Sequence, residues 1–501
     1  MKVLYVCAEL FPFLKTGGLA DVSAGLPPAL QALGCDVRLL MPGFPAVVQA
    51  ATAQCPVAVL PTDPAPWGQA PALPAVALVR ATLPGLALPL YLLSSPELYD
   101  RPGNPYLGPD GADWPDNAQR FAALGWAAAL LGQGLDADWV PDVIHCHDWH
   151  AGLAPAYVRA FASARRNTPA TVFTVHNLAY QGVFPASALA SLGLPATHLQ
   201  DSGLEFFGQV SFMKGAIQFA DRLTTVSPTY AHEITTEPQG CGLDGLLRER
   251  SSRLSGILNG VDYDIWSPAA DAWLPVAYDA DALGGKASAK QALQQRFGLA
   301  QRPDALVFGV VSRLSEQKGL HLLPQVLAEL VRRGGQLALL GQGDPALEQT
   351  FVDAAIEYPG QVAVRIGYDE ATAHTVVAGA DVIVVPSAFE PCGLTQLYGL
   401  RYGTLPLVRR AGGLADTVVD CTLENLDEGV ATGFVFDALS AAGLLSAVKR
   451  AFVLFRQPPV WARVQQRGMG LRFDWATAAQ HYLAVYQSLR PDDQSSPCPF
   501  N

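Results

Sequence analysis

The chain is 501 residues long, past the ~250–300 residues at which a single core stops growing, so at least two domains are expected. Half of the residues are apolar and 16% are charged, which excludes wholesale disorder. With 33 Lys and Arg against 45 Asp and Glu, the net charge is −12 and no basic run occurs, which excludes a general nucleic-acid or anionic-membrane binder. An anionic ligand must then be held locally, by a few placed cations and backbone N–H groups.

Lys2 precedes an apolar run that Glu9 interrupts before signal-peptide length, and no stretch approaches the ~20 apolar residues of a membrane span. The 8 cysteines are widely spaced and form no CxxC pair. A reduced, cytoplasmic chain with buried thiols is expected, rather than a disulfide frame or a zinc site.

Short β-branched runs alternate with helical patterns throughout, which predicts an α/β protein of parallel sheets covered by helices. In the first half, a strand at Val3–Cys7 leads into the loop Lys15-Thr-Gly-Gly and a helix from about Ala20, followed by a strand at Val37–Met41. Residues 56–90 are Ala/Pro-rich and carry no readable chemistry beyond a strand candidate at Leu88–Leu93. The Pro/Gly/Asp-rich stretch Tyr99–Gln119, with Tyr106 and Trp114, is long for an idle loop.

A strand at Val143–Cys146 opens the cluster His145-Cys-His-Asp-Trp-His150. His145 and His147 alternate on the strand and point the same way, but the cluster lacks a further ligand motif, so hydrogen bonding is expected rather than metal binding. Thr171–Val175 ends at His176-Asn177, and Leu223–Val226 and Gly256–Leu258 complete this half.

The second half repeats the rhythm more cleanly, with strands at Leu306–Ser312, Leu337–Leu340, Val362–Ile366, Val382–Pro386 and Leu405–Val408. Two doubly wound domains joined near residue 255 are the expectation. Ligands of such sheets bind beyond the carboxyl ends of the strands, and there the residues are polar. They are Arg313 and Lys318, then Gly341-x-Gly343, Tyr368, Ser387 with Phe389-Glu390-Pro-Cys-Gly-Leu-Thr395, and Arg409-Arg410.

Arg313 and Lys318, five apart across a strand-to-helix loop, can both lean on one diphosphate; taken alone, the pair reads equally as solvated surface cations. Gly341-x-Gly343 lacks the third glycine of a dinucleotide fingerprint. One internal echo stands out: Lys15-Thr-Gly-Gly-Leu-Ala-Asp returns as Arg410-Ala-Gly-Gly-Leu-Ala-Asp.

Taken together, these blocks resemble the bacterial glycogen synthases, ADP-glucose-using retaining glucosyltransferases related to plant starch synthases. The resemblance is carried by Lys15–Val22, His147–Leu153, Phe173–Gly182, Thr225–Tyr230, Ile257–Asp262, Ser312–Gly319 and Phe389–Gly399, in order along the chain. It implies a GT-B fold, two Rossmann-like domains with parallel sheets facing across a deep cleft. The expected spans are 1–254 on the acceptor side and 255–470 on the donor side, with 471–501 crossing back to the first domain and ending in a polar tail. It departs at residues 56–90, and at Ala289, where a polar residue is expected between Lys286 and Lys290.

The resemblance also implies roles. Lys15 and Gly18 go to the donor phosphates and sugar, and Asp21 and Asn259 to further donor contacts. His176 goes to the transferring glucose, Arg313 and Lys318 to the diphosphate, and Tyr368 to the adenine. Glu390 and the loop Cys392, Gly393, Leu394 and Thr395 go to the donor sugar and phosphates. The substrates implied are ADP-glucose and a glycogen or malto-oligosaccharide acceptor, with no cofactor or metal. Competing readings are a GT-B enzyme for a UDP-sugar, and a non-catalytic glycan or nucleotide-sugar sensor, which would require loss of these rim residues.

Overall fold

The computed structural model describes residues 1–162, 168–200 and 202–489; the polar tail expected from about 491 lies outside the described residues. The chain divides into two compact units, the first holding residues 1–260 and the helix Trp475–Gln487, the second Val261–Asp474.

Unit 1 is built on a nine-stranded sheet. Its strands are β1 (Lys2–Val6), β2 (Asp36–Pro42), β3 (Thr52–Val59), β4 (Ala77–Leu83), β5 (Leu86–Ser94), β6 (Val143–His147) and β7 (Ala170–Val175). After a small antiparallel sheet of β8 (Val183–Pro185), β9 (Glu205–Phe206) and β10 (Gln209–Ser211), the large sheet gains β11 (Arg222–Thr225) and β12 (Leu254–Gly256). The order is β12-β11-β7-β6-β1-β2-β5-β4-β3. The strand order reverses direction between β1 and β6, so the loops leaving those two strands face the crevice where α/β sheets bind ligands.

β3 and β4 run antiparallel at the edge, through the stretch in which the sequence shows no strand before Leu88. β3 is almost wholly exposed and bulged, so its residues lack the apolar run of a covered strand. β12 begins at Leu254, two residues before the expected strand, and its pairing with β11 holds the chain in unit 1 as far as Gly260.

Unit 2 carries six parallel strands: β13 (Val307–Val311), β14 (Gln336–Gly341), β15 (Val362–Ile366), β16 (Val382–Val385), β17 (Leu405–Arg409) and β18 (Phe434–Phe436). Their order, β15-β14-β13-β16-β17-β18, is that of a dinucleotide-binding fold, with its switch point between β13 and β16. Both faces are covered. Phe308, Val310, Leu337 and Leu339 enter one buried cluster and Val307, Ala338 and Leu340 the other, which is why these strands read as unbroken apolar runs. Ala289 packs in the second cluster, while Lys290 Nζ pairs with Asp381 at 2.8 Å and Lys286 Nζ donates to Ala378 O at 2.9 Å. That segment is structural.

The chain leaves and re-enters unit 1 at one place. Val261 N–H donates to Phe473 O at 2.7 Å inside unit 2, and Trp475 then wedges into unit 1. A Cβ on Gly25 would stand 2.1 Å from the indole, and one on Gly260 2.5 Å from the Trp475 backbone nitrogen. Beyond it, Tyr482, Val485 and Tyr486 join the core of the first sheet. Among the described residues no helix is long and apolar enough to cross a membrane.

Candidate active site

In unit 1, Glu9 ends the first strand–loop segment, buried to 4% exposure. Its carboxylate accepts from Thr16 N–H at 2.7 Å, Thr16 Oγ1 at 2.5 Å, Gly17 N–H at 3.1 Å and Tyr106 Oη at 2.7 Å. Those bonds shape the turn that carries Lys15, and they tie the 99–119 loop to it. Lys15 Nζ lies 2.9 Å from Asp21 Oδ1, in the first turn of the helix Gly18–Ala32. Gly17 and Gly18 have open space where a Cβ would stand, so the protein itself does not require glycine there.

Across the switch point, β6 delivers His145 and His147, whose rings are 4.0 Å apart. His145 uses both nitrogens, bonding Tyr486 Oη and Thr174 Oγ1 at 2.7 Å each, which leaves it none for a metal. His147 Nδ1 lies 2.9 Å from His176 Nε2, and His147 Nε2 is buried without a partner. A buried N–H left unpaired is costlier than a bare lone pair, so the proton belongs on His147 Nδ1. His176 then accepts at Nε2 and presents Nδ1–H to the site. Burial holds all four neighbouring imidazoles neutral, with His176 and His150 lowered to about 3 and His145 and His147 well below the usual value.

Asp148 follows β6 with φ 56°, uncommon for a non-glycine residue. It accepts from His176 N–H at 2.8 Å, and burial raises its carboxyl to about 7. A strained backbone together with a raised carboxyl recurs at functional sites, which makes Asp148 a candidate. Asn259, also in unit 1, is buried with an unpartnered Oδ1.

In unit 2 the switch point holds a cavity of about 40 Å³ lined by Ser312, Lys318, Ser387, Glu390, Gly393 and Thr395 among others. Lys318 Nζ meets Glu390 Oε1 at 2.9 Å and Oε2 at 2.7 Å, and Ser387 Oγ donates to Oε2 at 2.8 Å. The loops from β13 and β16 are locked together by Gly319, in the left-handed region at φ 65°, where a Cβ would stand 2.1 Å from Pro386 O. Below the Glu390 loop sits the second Gly-Gly pair. Cβ atoms on Gly412 and Gly413 would stand 2.1 Å from Glu390 O and 2.2 Å from Cys392 O.

Of the expected donor residues, Lys318, Glu390, Gly393, Leu394 and Thr395 line this one cavity, and Cys392 is buried beside them. Arg313 and Tyr368 do not line it. Arg313 is exposed and, among the described residues, makes no side-chain hydrogen bond or ion pair. Tyr368 follows the edge strand β15, 53% exposed, and donates to Glu370 Oε2 at 2.6 Å. In unit 1, Lys15, Asp21 and Gly18 share one loop-to-helix turn, and His176 stands with the histidine cluster. In the sequence Ser387 stands only as a polar residue at a strand end, without a role, and neither Glu9 nor Asp148 is singled out as a site residue. Glu9 had a signal, the charge that cuts off an apolar strand.

Comparison with known proteins agrees across the chain. A family model described as the starch synthase catalytic domain matches residues 2–249, and one described as glycosyl transferases group 1 matches 292–452. A glycogen synthase from Albidiferax ferrireducens is 74% identical over 491 residues, 98% of this chain and 99% of that protein. One from Leptothrix cholodnii is 55% identical over 98% of this chain and 100% of its own length. Among solved structures, the catalytic domain of starch synthase IV from Arabidopsis thaliana, bound to ADP and acarbose, superposes with a TM-score of 0.85 at 32% identity. That match covers 97% of this chain and 98% of that one. The fold is therefore GT-B, with two Rossmann-like domains.

Proposed function

This chain belongs to the glycogen synthase family of glycosyltransferases, and we propose that it transfers glucose from ADP-glucose to the terminal 4-hydroxyl of an α-1,4-glucan with retention of configuration. The observation that carries the chemistry is the Lys318–Glu390–Ser387 group at the β13/β16 switch point. The C1–oxygen bond to the diphosphate breaks, the bond from C1 to the acceptor O4 forms, and the acceptor proton passes to the leaving phosphate on the same face. No cofactor or metal takes part: the charge developing on ADP is met by preorganised cations and backbone N–H groups.

Each residue has a place in this scheme. Lys318 and Arg313 neutralise the diphosphate. Arg313 brings a charge with no ion partner, whereas Lys318 must share its ammonium with Glu390. Gly393, Leu394 and Thr395 supply backbone N–H groups, Tyr368 stacks on the adenine, and Cys392 packs the loop. Glu390 orients the donor sugar and favours positive charge at C1. From unit 1, Lys15 and Gly18 serve the donor phosphates and sugar, Asp21 and Asn259 make further donor contacts, and His176 donates Nδ1–H to the transferring glucose.

The enzyme works in the cytoplasm on glycogen or malto-oligosaccharides, in keeping with cysteines that are all free among the described residues. The test is radiolabel transfer onto glycogen from ADP-glucose and from UDP-glucose, with and without a chelator. Chelator-insensitive incorporation from ADP-glucose is expected. Incorporation from UDP-glucose alone, or loss on chelation, overturns the reading.

A further inference from the structure

A second cavity opens on unit 2, lined by none of the residues assigned above. Its volume is about 340 Å³, within the ~300–1,000 Å³ of small-ligand sites. Trp273 and Pro275 form one wall, Gln295 and Arg296 of the helix Gly284–Phe297 another, and Thr375 of the helix Glu370–Gly379 a third.

Trp273 is 50% exposed, yet it is held firmly from behind. Its indole lies 4.9 Å from the His374 ring, which stacks on Trp266 at 3.7 Å. Asp271 fixes all three partners: Oδ2 lies 2.7 Å from His374 Nδ1 and from Tyr402 Oη, while Oδ1 accepts the Trp273 backbone N–H at 2.9 Å. An indole fixed in this way loses little freedom when a ligand covers it.

The polar groups around it suit an uncharged ligand. Arg296 donates through Nη2 to Asp369 at 3.1 Å and to Thr372 at 2.7 Å, so its charge is matched. The Gln295 amide has no hydrogen bond to any described residue. Thr375 donates to Ala371 O at 2.7 Å and keeps its lone pairs for a ligand. An open indole face beside an amide, a guanidinium edge and a hydroxyl, with no net charge, matches a ring of C–H bonds edged by hydroxyls. An anion or a charged peptide would find no counter-charge.

We propose that the Trp273 cavity is a secondary binding site for the α-1,4-glucan, taking a segment of the polymer while another part of it reacts. The inference rests on the glucan acceptor proposed above. Its benefit is avidity: a polymer held at a second point keeps its chain ends at high local concentration.

The test is electrophoresis of the full chain through gels containing glycogen, without ADP-glucose. Trp273→Ala should raise the apparent dissociation constant about five- to tenfold, the loss of one aromatic stacking contact. Trp273→Phe should keep most of the affinity and Gln295→Ala should lose part of it. Turnover from ADP-glucose onto a short malto-oligosaccharide should stay within about twofold of wild type. Unchanged retardation of both Trp273→Ala and Gln295→Ala overturns the proposal, as does an equal fall in turnover on short and long acceptors. If Trp273→Ala does not fold, Trp273→Phe and Gln295→Ala decide. Normal, Trp273-dependent retardation without transfer from ADP-glucose would instead remove the proposed reaction and leave this site standing.

Discussion

The two Gly-Gly-Leu-Ala-Asp segments are spelled alike and do opposite work. In unit 1, Gly17 and Gly18 face open space and the preceding Lys15 sits at a switch point. In unit 2, Gly412 and Gly413 are jammed under the Glu390 loop, and the preceding Arg410 forms an exposed pair with Asp437 at 2.7 Å. The first pair leaves room for a ligand and the second leaves room for the protein's own backbone. A shared string of letters therefore reports a helix start, not a shared function.

That contrast can be broken by experiment. The largest effect is expected at Gly413→Val, where the added carbon meets the Cys392 carbonyl. It should cost about 3 kcal/mol or more and remove activity along with the fold of unit 2, read by urea denaturation. Unchanged stability would show that the Glu390 loop gives way freely.

Lys318→Ala should lower kcat/KM roughly 100- to 1,000-fold. It should also lower the melting temperature, because Glu390 is left buried without its ammonium, so turnover is compared at a temperature where the variant is folded. Near-wild-type turnover would remove Lys318 from the mechanism. Gly18→Ala should leave stability within ~0.5 kcal/mol but cost about tenfold in kcat/KM, because the methyl occupies ligand space. Full activity would mean that no ligand comes close there. The smallest effect belongs to Arg410→Ala, an exposed pair worth at most ~1 kcal/mol, with turnover unaffected.

Acid separates the two units further. In unit 1, His145, His147, His150 and His176 have lowered pKa values, so they bind protons on unfolding. Their contribution is present above the unfolded value near 6.5 and is lost as pH falls. Asp148, raised to about 7, acts the other way: its contribution is lost as pH rises through 7. His198 is lowered as well, so the histidines outweigh the one carboxyl and the stability of unit 1 falls as pH drops below about 6.5. In unit 2, burial pulls His374 down but Asp271 and Glu370 push it up further, so its contribution is kept at low pH. Unit 1 should therefore unfold first on acidification, measured by urea midpoints between pH 5 and 7. A midpoint in unit 1 that does not move would show that these histidines are protonated in the fold.

How much of this was legible in the sequence follows from burial. Strands β13 to β17 were legible because helices cover both faces, so each appears as a continuous apolar run. β3 and β4 were not, since an exposed, bulged antiparallel edge keeps no such pattern, and the three-residue β18 is too short to register. Lys318 and Glu390 were legible as polar residues at strand ends. Ser387 was noted there too, but its bond to Glu390 needed coordinates. Glu9 shows only as a charge ending an apolar run, and its tie to the 99–119 loop needed coordinates, since Tyr106 reaches it across 97 positions. Asp148 was hidden because its partner, the His176 N–H, lies on another strand end.

Trp475 carries a consequence for how the chain is made. Its indole fills the space left by Gly25, and the residues after it supply part of the first sheet's cover. During synthesis, at ~5–20 residues per second, unit 2 emerges from the ribosome in one piece. Unit 1, though begun first, waits for the helix Trp475–Gln487, so the older half of the nascent protein is the later to complete its core.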